Sequence, residues 1–218
     1  MMNAIEALLQ SPRLPEHLDT LQTALADEQT RRTQFYHDLT PSQKAEFING
    51  EVVMHSPAKL RHHEAGTNLL TLLRLHVQLN GLGWVGHEKI LVALTRNDYE
   101  PSVCFFRQEV AASFTEDQMR FPAPDFIAEV LSPSTAVRDR GVKFEDYAAH
   151  GVGEYWIIDA EAQVVEQYVL AGEVYQLHAK LPAGEVTSRV IEGFTVPVAA
   201  LFDAELNLAT MRRWLQAE

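Results

Sequence analysis

A mixed β-sheet flanked by helices, in one α/β or α+β domain, is the fold class this sequence predicts. Three observations lead there. The chain has 218 residues, 46% of them apolar, enough for one domain with a sizeable core. Its apolar runs are short and bounded by turn residues, as strands are. Those runs alternate with segments of helical periodicity, in the order helix, strand, helix, several strands, helix, strands.

The elements follow in order. Residues 3–35 read as helix, with Leu8, Leu9, Leu18, Leu21 and Leu25 as apolar positions and a break near Pro12 and Pro15. Residues 1–40 form an N-terminal helical extension and 41–218 the main domain. Segment 41–50, "PSQKAEFING", starts as a short helix and ends in the turn signal Asn49-Gly50. "EVVMHS" is a strand. Residues 61–79 form an amphipathic helix with Leu69, Leu70, Leu72, Leu73, Val77 and Leu79 on its apolar stripe. "GLGWVGHEKILVALTR" holds a strand pair or one bent strand, and "PSVCFF" and "PDFIAEVLS" are buried strands. "TEDQMRF" between them reads as a short helix or loop. Residues 136–150 form one helix that closes at Gly151, and "GVGEYWIID" starts the next strand. "VVEQYVL" and "EVYQLHA" pair as a hairpin across Ala171-Gly172, and the last helix covers 204–216.

Composition removes several classes. No run approaches ~18 apolar residues, so no membrane helix is expected. The N-terminus lacks a basic region followed by an apolar run, so a secretory signal is not expected either. Cys104 is the single cysteine, and its apolar setting reads as a small buried hydrophobe; the cytoplasm is the expected compartment. The net charge of −12 by itself argues against a phosphate-gripping face. The acidity is uneven, however: residues 144–218 carry net −8 and residues 1–143 net −4, which leaves room for a positive cleft in the first part.

One residue breaks the apolar pattern. In "APDFIAEVLSPST", Glu129 shares a strand face with Ile127 and Leu131. A buried carboxylate needs a cation, donors or a metal to offset its lost hydration. The "SPST" that follows has the turn and N-cap chemistry of a helix start. That helix carries Arg138, Asp139, Arg140 and Lys143, and its return over the strand end would bring Lys143 to Glu129. A carboxylate with a lysine at a strand end suits metal-assisted hydrolysis of a phosphodiester. The acid holds a divalent cation, and the lysine orients the nucleophile or stabilises the charged centre. The alternative at this point is a buried Glu paired for structural reasons.

The run from Pro122 to Tyr168, "PAPDFIAEVLSPSTAVRDRGVKFEDYAAHGVGEYWIIDAEAQVVEQY", resembles the PD-(D/E)XK nuclease superfamily, and within it the Uma-two family of restriction-endonuclease-like proteins. "AEFINGEVVMHSP", "RHHEAGTNLLTLLR" and "YEPSVCFF" extend the likeness in the same order. The resemblance implies a restriction-endonuclease-like fold, Mg²⁺ (or Mn²⁺) as cofactor, DNA as partner and a homodimer. It puts the strand acid at Glu129. The lysine usual two positions on is Leu131 here, and Lys143 on the next helix takes its place. The motif aspartate should follow Pro101, where the chain has Ser102. A hydroxyl in place of a carboxylate weakens a site for Mg²⁺. The implied function is thus a divalent-metal-dependent DNA endonuclease damaged at Ser102, with a catalytically dead binding or regulatory module as the alternative. Glu129, Lys143 and Ser102 are the predicted site, with Glu129 and Ser102 as metal ligands.

Other residues weigh less. Glu100 lies two positions before Ser102 on the same expected strand face. Asp125 shares a face with Glu129 but lies about 13 Å away along a strand, which favours a structural role at the strand's start. Glu46 and Glu51 each read either as an extra acid or as a solvated charge. His62 and His63, beside Lys59 and Arg61, suit phosphate contact or a solvated helix start, the latter favoured. No His/Cys spacing suggests zinc.

Overall fold

The computed structural model describes residues 3–40 and 43–216. Asn3 caps α1 (Ala4–Leu9) with a reciprocal capping box to Glu6. The proline-containing turn leads into α2 (Leu14–Asp38), with Pro15 in its first turn, where a missing N–H removes no helical bond. The expected helix at 41–50 is replaced by a strand, β1 (Ala45–Ile48), all four residues buried. Pro41, its proposed start, lies outside the described residues. The β-propensity of Phe47 and Ile48, with burial on both faces, outweighs local helical bias. Asn49 and Gly50 both have positive φ and turn β1 into β2 (Glu51–Met54), as the Asn-Gly pair predicts.

Helix α3 (Leu60–Asn80) follows and ends at Gly81 in the left-handed conformation. The next segment divides into β3 (Gly83–His87), β4 (Leu91–Ala93) and β5 (Asp98–Tyr99). Residues 100–102 form no strand; they turn the chain into β6 (Val103–Arg107), so the expected shared strand face of Glu100 and Ser102 does not exist. The four-residue α4 (Gln108–Ala111), a loop and β7 (Arg120–Phe121) bring the chain to β8 (Phe126–Val130). The predicted helix at 136–150 is two, α5 (Ala136–Asp139) and α6 (Val142–Ala149). Gly141 makes the break, where a Cβ would come within 2.8 Å of the Val137 carbonyl. Then come β9 (Glu154–Asp159), β10 (Val164–Ala171) and β11 (Val174–Leu181). The hairpin turns at Gly172-Glu173, one residue later than expected, because Ala171 still pairs with Val174. Strands β12 (Glu185–Thr187) and β13 (Thr195–Pro197), a 3-10 turn (Val198–Leu201) and α7 (Ala204–Leu215) complete the chain.

Two sheets organise most of these elements, and β12 and β13 pair as a separate two-stranded sheet. The larger has the order β11-β10-β9-β8-β6-β3 and the smaller β2-β1-β5-β4-β7. Within the larger sheet β8 and β9 are parallel and every other pair is antiparallel, so α5 and α6 form the crossover that parallel strands require. One face of this sheet, with Phe126, Ala128, Val130 and Trp156, packs on α3, the 3-10 turn and α7 side chains. The other, with Ile127, Tyr155 and Ile157, packs on Tyr147 and the aromatic side of α6. The mixed sheet flanked by helices is as the sequence predicts. Among the described residues no helix is long and apolar enough to cross a membrane.

Candidate active site

Register brings the first two residues together. The β6–β8 pairing ends with Val103 opposite Ala128, so one step further Ser102 faces Glu129. The Ser102 backbone N–H and hydroxyl both donate to Glu129 Oε2 at 3.1 Å, and the hydroxyl accepts from the Val130 N–H at 3.2 Å. The other oxygen of Glu129, Oε1, accepts from Lys143 Nζ at 2.9 Å and from the Tyr147 hydroxyl at 3.1 Å. Lys143 reaches it because α6 begins just after the Gly141 break and lies over the C-terminal end of β8.

The structure adds acids to this pair. Glu46 on β1 is fully buried and places Oε1 2.8 Å from Lys143 Nζ. That same oxygen accepts the Glu100 N–H at 3.0 Å, while Glu100 Oε2 accepts the Ala45 N–H at 3.0 Å, a reciprocal clasp between β1 and the 100–102 turn. His55 Nε2 lies 3.1 Å from Glu46 Oε2, poorly aligned for a hydrogen bond. Asp139 sits four residues before Lys143, with Oδ1 3.4 Å from Nζ, and neither of its oxygens has a hydrogen-bond partner. Three carboxylates thus gather round one buried ammonium.

The pKa directions follow from that charge balance. Burial works to lower the pKa of Lys143, but Glu129, Glu46 and Asp139 outweigh it and hold the ammonium well above lysine's ordinary range. Burial works to raise Glu46, yet Lys143 and His55 bring it down to about 2. Asp139 is pushed up to about 6, by burial first and then by the charge of Glu129. Burial also pushes Glu100 up to about 7, against the pull of Lys44. The Tyr147 hydroxyl is raised by burial and by Glu129, so it stays a donor.

The cluster floors a cleft of about 600 Å³. Lys44, Lys59, Lys89 and Arg138 line it, with Glu88, which pairs with Lys44 at 2.5 Å. His62 also lines it; its Nε2 donates to the Val130 carbonyl at 2.8 Å and burial lowers its pKa, leaving a neutral ring with Nδ1 as acceptor. Of the lesser candidates, Glu51 is exposed at the start of β2, away from the cleft. His63 is exposed, and Arg61 pairs with Glu161 at 3.6 Å. Asp125 accepts the Arg107 N–H at 2.8 Å and pairs with the Arg107 side chain, which fits a structural role.

The arrangement can be tested for a divalent cation. Such an ion needs anionic oxygens directed at one point. Both Glu129 oxygens are taken by donors of the chain, and the Ser102 hydroxyl gives its proton to Glu129 and its lone pair to Val130. The acceptor capacity left over lies on Asp139, whose Oδ1 is turned to Lys143, and on Glu46 Oε2, which lies beside His55 Nε2. Among the described residues no group of three or more His, Cys, Asp or Glu is placed to hold a metal. As arranged here the Glu129–Ser102 pair does not fit a divalent ion; Lys143 is the cation of the cluster.

Sequence reasoning missed two of these groups, Asp139 and Tyr147, and left a third undecided. Glu46 was one of two acids weighed as an extra, with nothing to separate it from Glu51. Asp139 and Tyr147 were given no role. The four-residue spacing of Asp139, Lys143 and Tyr147, which puts all three on one helical side, was the available signal.

The mixed sheet flanked by helices is that of a nuclease-like α/β domain. Residues 33–199 match the Uma2 family, described as "putative restriction endonuclease". The chain belongs to that family. It is 32% identical over 135 residues to the uncharacterized protein sll1609 of Synechocystis sp. (strain ATCC 27184 / PCC 6803 / Kazusa), covering 61% of this chain and 75% of that protein. Its fold is similar to a crystal structure described as a "putative nuclease belonging to DUF820" from Anabaena variabilis ATCC 29413, with a TM-score of 0.67, 17% identity, and coverage of 79% of this chain and 96% of that one.

Proposed function

We propose that this chain carries the site of a divalent-metal-dependent DNA endonuclease disabled at Ser102, so that it binds the DNA backbone and cuts it poorly or not at all. The observation that carries this reading is the floor of the cleft: Glu129 and Lys143 are in contact there, and Ser102 stands directly across from Glu129. The family and the lysines and arginine along the cleft support DNA as the ligand, since a phosphate backbone is gripped by cationic side chains. In this reading Lys143 is a fixed cation that meets a phosphate oxygen, and Glu129 is the acid that would serve the reaction if freed from Ser102. Mg²⁺ or Mn²⁺ enters only through a second carboxylate at position 102, which would repel Glu129 and turn its Oε2 outward. Cutting both strands calls for two clefts, hence a homodimer.

A binding or regulatory module without turnover is the second reading, favoured by the four hydrogen bonds that hold Glu129. Plasmid and oligonucleotide assays on the native chain and Ser102→Asp, with Mg²⁺ or Mn²⁺, separate the two. The first reading expects cleavage by the Asp variant, abolished by adding Glu129→Ala or Lys143→Ala, and metal binding by calorimetry. An Asp variant that binds DNA but neither takes up metal nor cuts leaves the binding module. Absence of DNA binding by either protein sinks both.

A further inference from the structure

The apolar stripe of α2 runs past the edge of the domain. Leu14, Leu18, Leu21, Leu25, Glu28, Arg32, Phe35 and Leu39 recur at alternating steps of four and three, which keeps them on one face. Along its second half this face is buried. Glu28 pairs with Arg96, Arg32 with Asp98, and Phe35 packs against Phe47. Along the first half the same face is largely open: Leu14 is half-buried, Leu18, Leu21 and Leu25 are 51%, 52% and 57% exposed, and no residue from 14 to 27 is buried. A helix this far from the body lacks the tertiary packing that normally holds helices in water.

The pattern identifies what fits the face. With Leu14 and Leu21 at d positions and Leu18 and Leu25 at a, the flanking e and g positions are Pro15, His17, Gln22 and Ala24. None is Asp, Glu, Lys or Arg. Arg13, Glu16, Asp19 and Asp27 fall at b, c and f, away from the seam. A second copy of the helix would therefore meet no like-charge repulsion, in spite of a net charge of −12. An acidic or basic partner would find nothing to recognise on this face. Helix α1 exposes Ile5 and Leu9 as well, adding apolar surface next to a seam that is short for a stable interface. The exposed part of the stripe lies in residues 14–25, outside the 33–199 that match the family.

We propose that α2 is a self-association surface, on which Leu14, Leu18, Leu21 and Leu25 pack against the same stripe of a second copy. This gives a surface to the homodimer proposed above, and it rests on α2 rather than on the nuclease reading. Sedimentation or light scattering of the full chain at tens of micromolar should give twice the chain mass of 24.5 kDa. The double variant Leu21→Glu/Leu25→Glu should give the single-chain mass with its helix content retained, since both leucines are exposed in the isolated chain. A native chain that stays monomeric, or a double variant that stays dimeric, overturns the proposal. If the double variant loses its helix content, Leu18→Cys, Leu21→Cys and Leu25→Cys decide instead. At least one should cross-link on oxidation while Asp27→Cys, on the outer face, does not; no cross-link in all three overturns it too. DNA binding and cleavage are scored separately, so failure at Glu129 leaves this result standing.

Discussion

Two buried glutamates on adjacent parallel strands make a natural contrast. Glu154 on β9 is level with Phe126, and Glu129 on β8 with Ile157, so they lie on opposite faces of the larger sheet. Glu154 is fully enclosed. It accepts from Trp156 Nε1, Gln167 Nε2 and the Ser188 hydroxyl, and from the Arg189 and Val190 N–H groups, at 2.6–3.1 Å. All five donors are neutral. Glu129 is held by a cation as well as by neutral donors, beside two more acids, under an open cleft. The same chemical problem, a carboxylate in a core, is solved in one place by closure and in the other by a charge cluster. A closed shell of neutral donors can only hold structure. A charge cluster with unsatisfied oxygens beneath a cleft can exchange partners with a ligand.

Four measurements sharpen or break that contrast. The largest effect should come from Glu154→Ala, which strands three buried and two part-buried donors and should cost about 4 kcal/mol in urea denaturation. A loss under about 1 kcal/mol would mean the shell is not structural. Next, Lys143→Met leaves the Glu129, Glu46 and Asp139 carboxylates unpaired and should cost about 3 kcal/mol at pH 8. The deficit should shrink toward pH 5, where the uncompensated acids can take up protons; a pH-independent loss would speak against the charge cluster.

Glu100→Gln should do the reverse. The native carboxyl has its pKa raised from 4.5 to about 7, chiefly by burial, so its charged form is a cost present above pH 7 and relieved as the pH falls toward 4.5. The variant should therefore gain about 1–2 kcal/mol at pH 8 and lose the slope between those pH values. Glu46 works with the opposite sign. Its lowered pKa gives stability that is present above pH 4.5 and lost as the pH falls to about 2. The smallest effect belongs to Ser102→Ala, which removes the hydroxyl from Glu129 and Val130 but keeps the backbone donor; about 1 kcal/mol is expected from thermal unfolding.

Much of this architecture was legible before any coordinates. Strands with apolar residues on both faces, such as "FIAEV", and the Asn49-Gly50 turn carry their conformation in a few consecutive residues. Segment 41–50 was misread because β1 takes its shape from pairing with β2 and β5, and one of those two partner strands lies about fifty positions away. Gly141 was visible as a glycine, but only the close approach to the Val137 carbonyl shows why it divides a helix.

The sequence by itself determined that Glu129 would lie in an apolar strand and that a helix starting at its end would carry Lys143. Both follow from strand alternation and from a short connection, and so from residues 14 apart. Only the tertiary structure decided what joins them. Glu46 arrives from β1 and Ser102 from the turn before β6, through registers that no local pattern encodes. The hydroxyl of Ser102 then closes on Glu129, which leaves the spare acceptor capacity on Asp139, because hydrogen bonds in a dry core form wherever donors happen to face an acid.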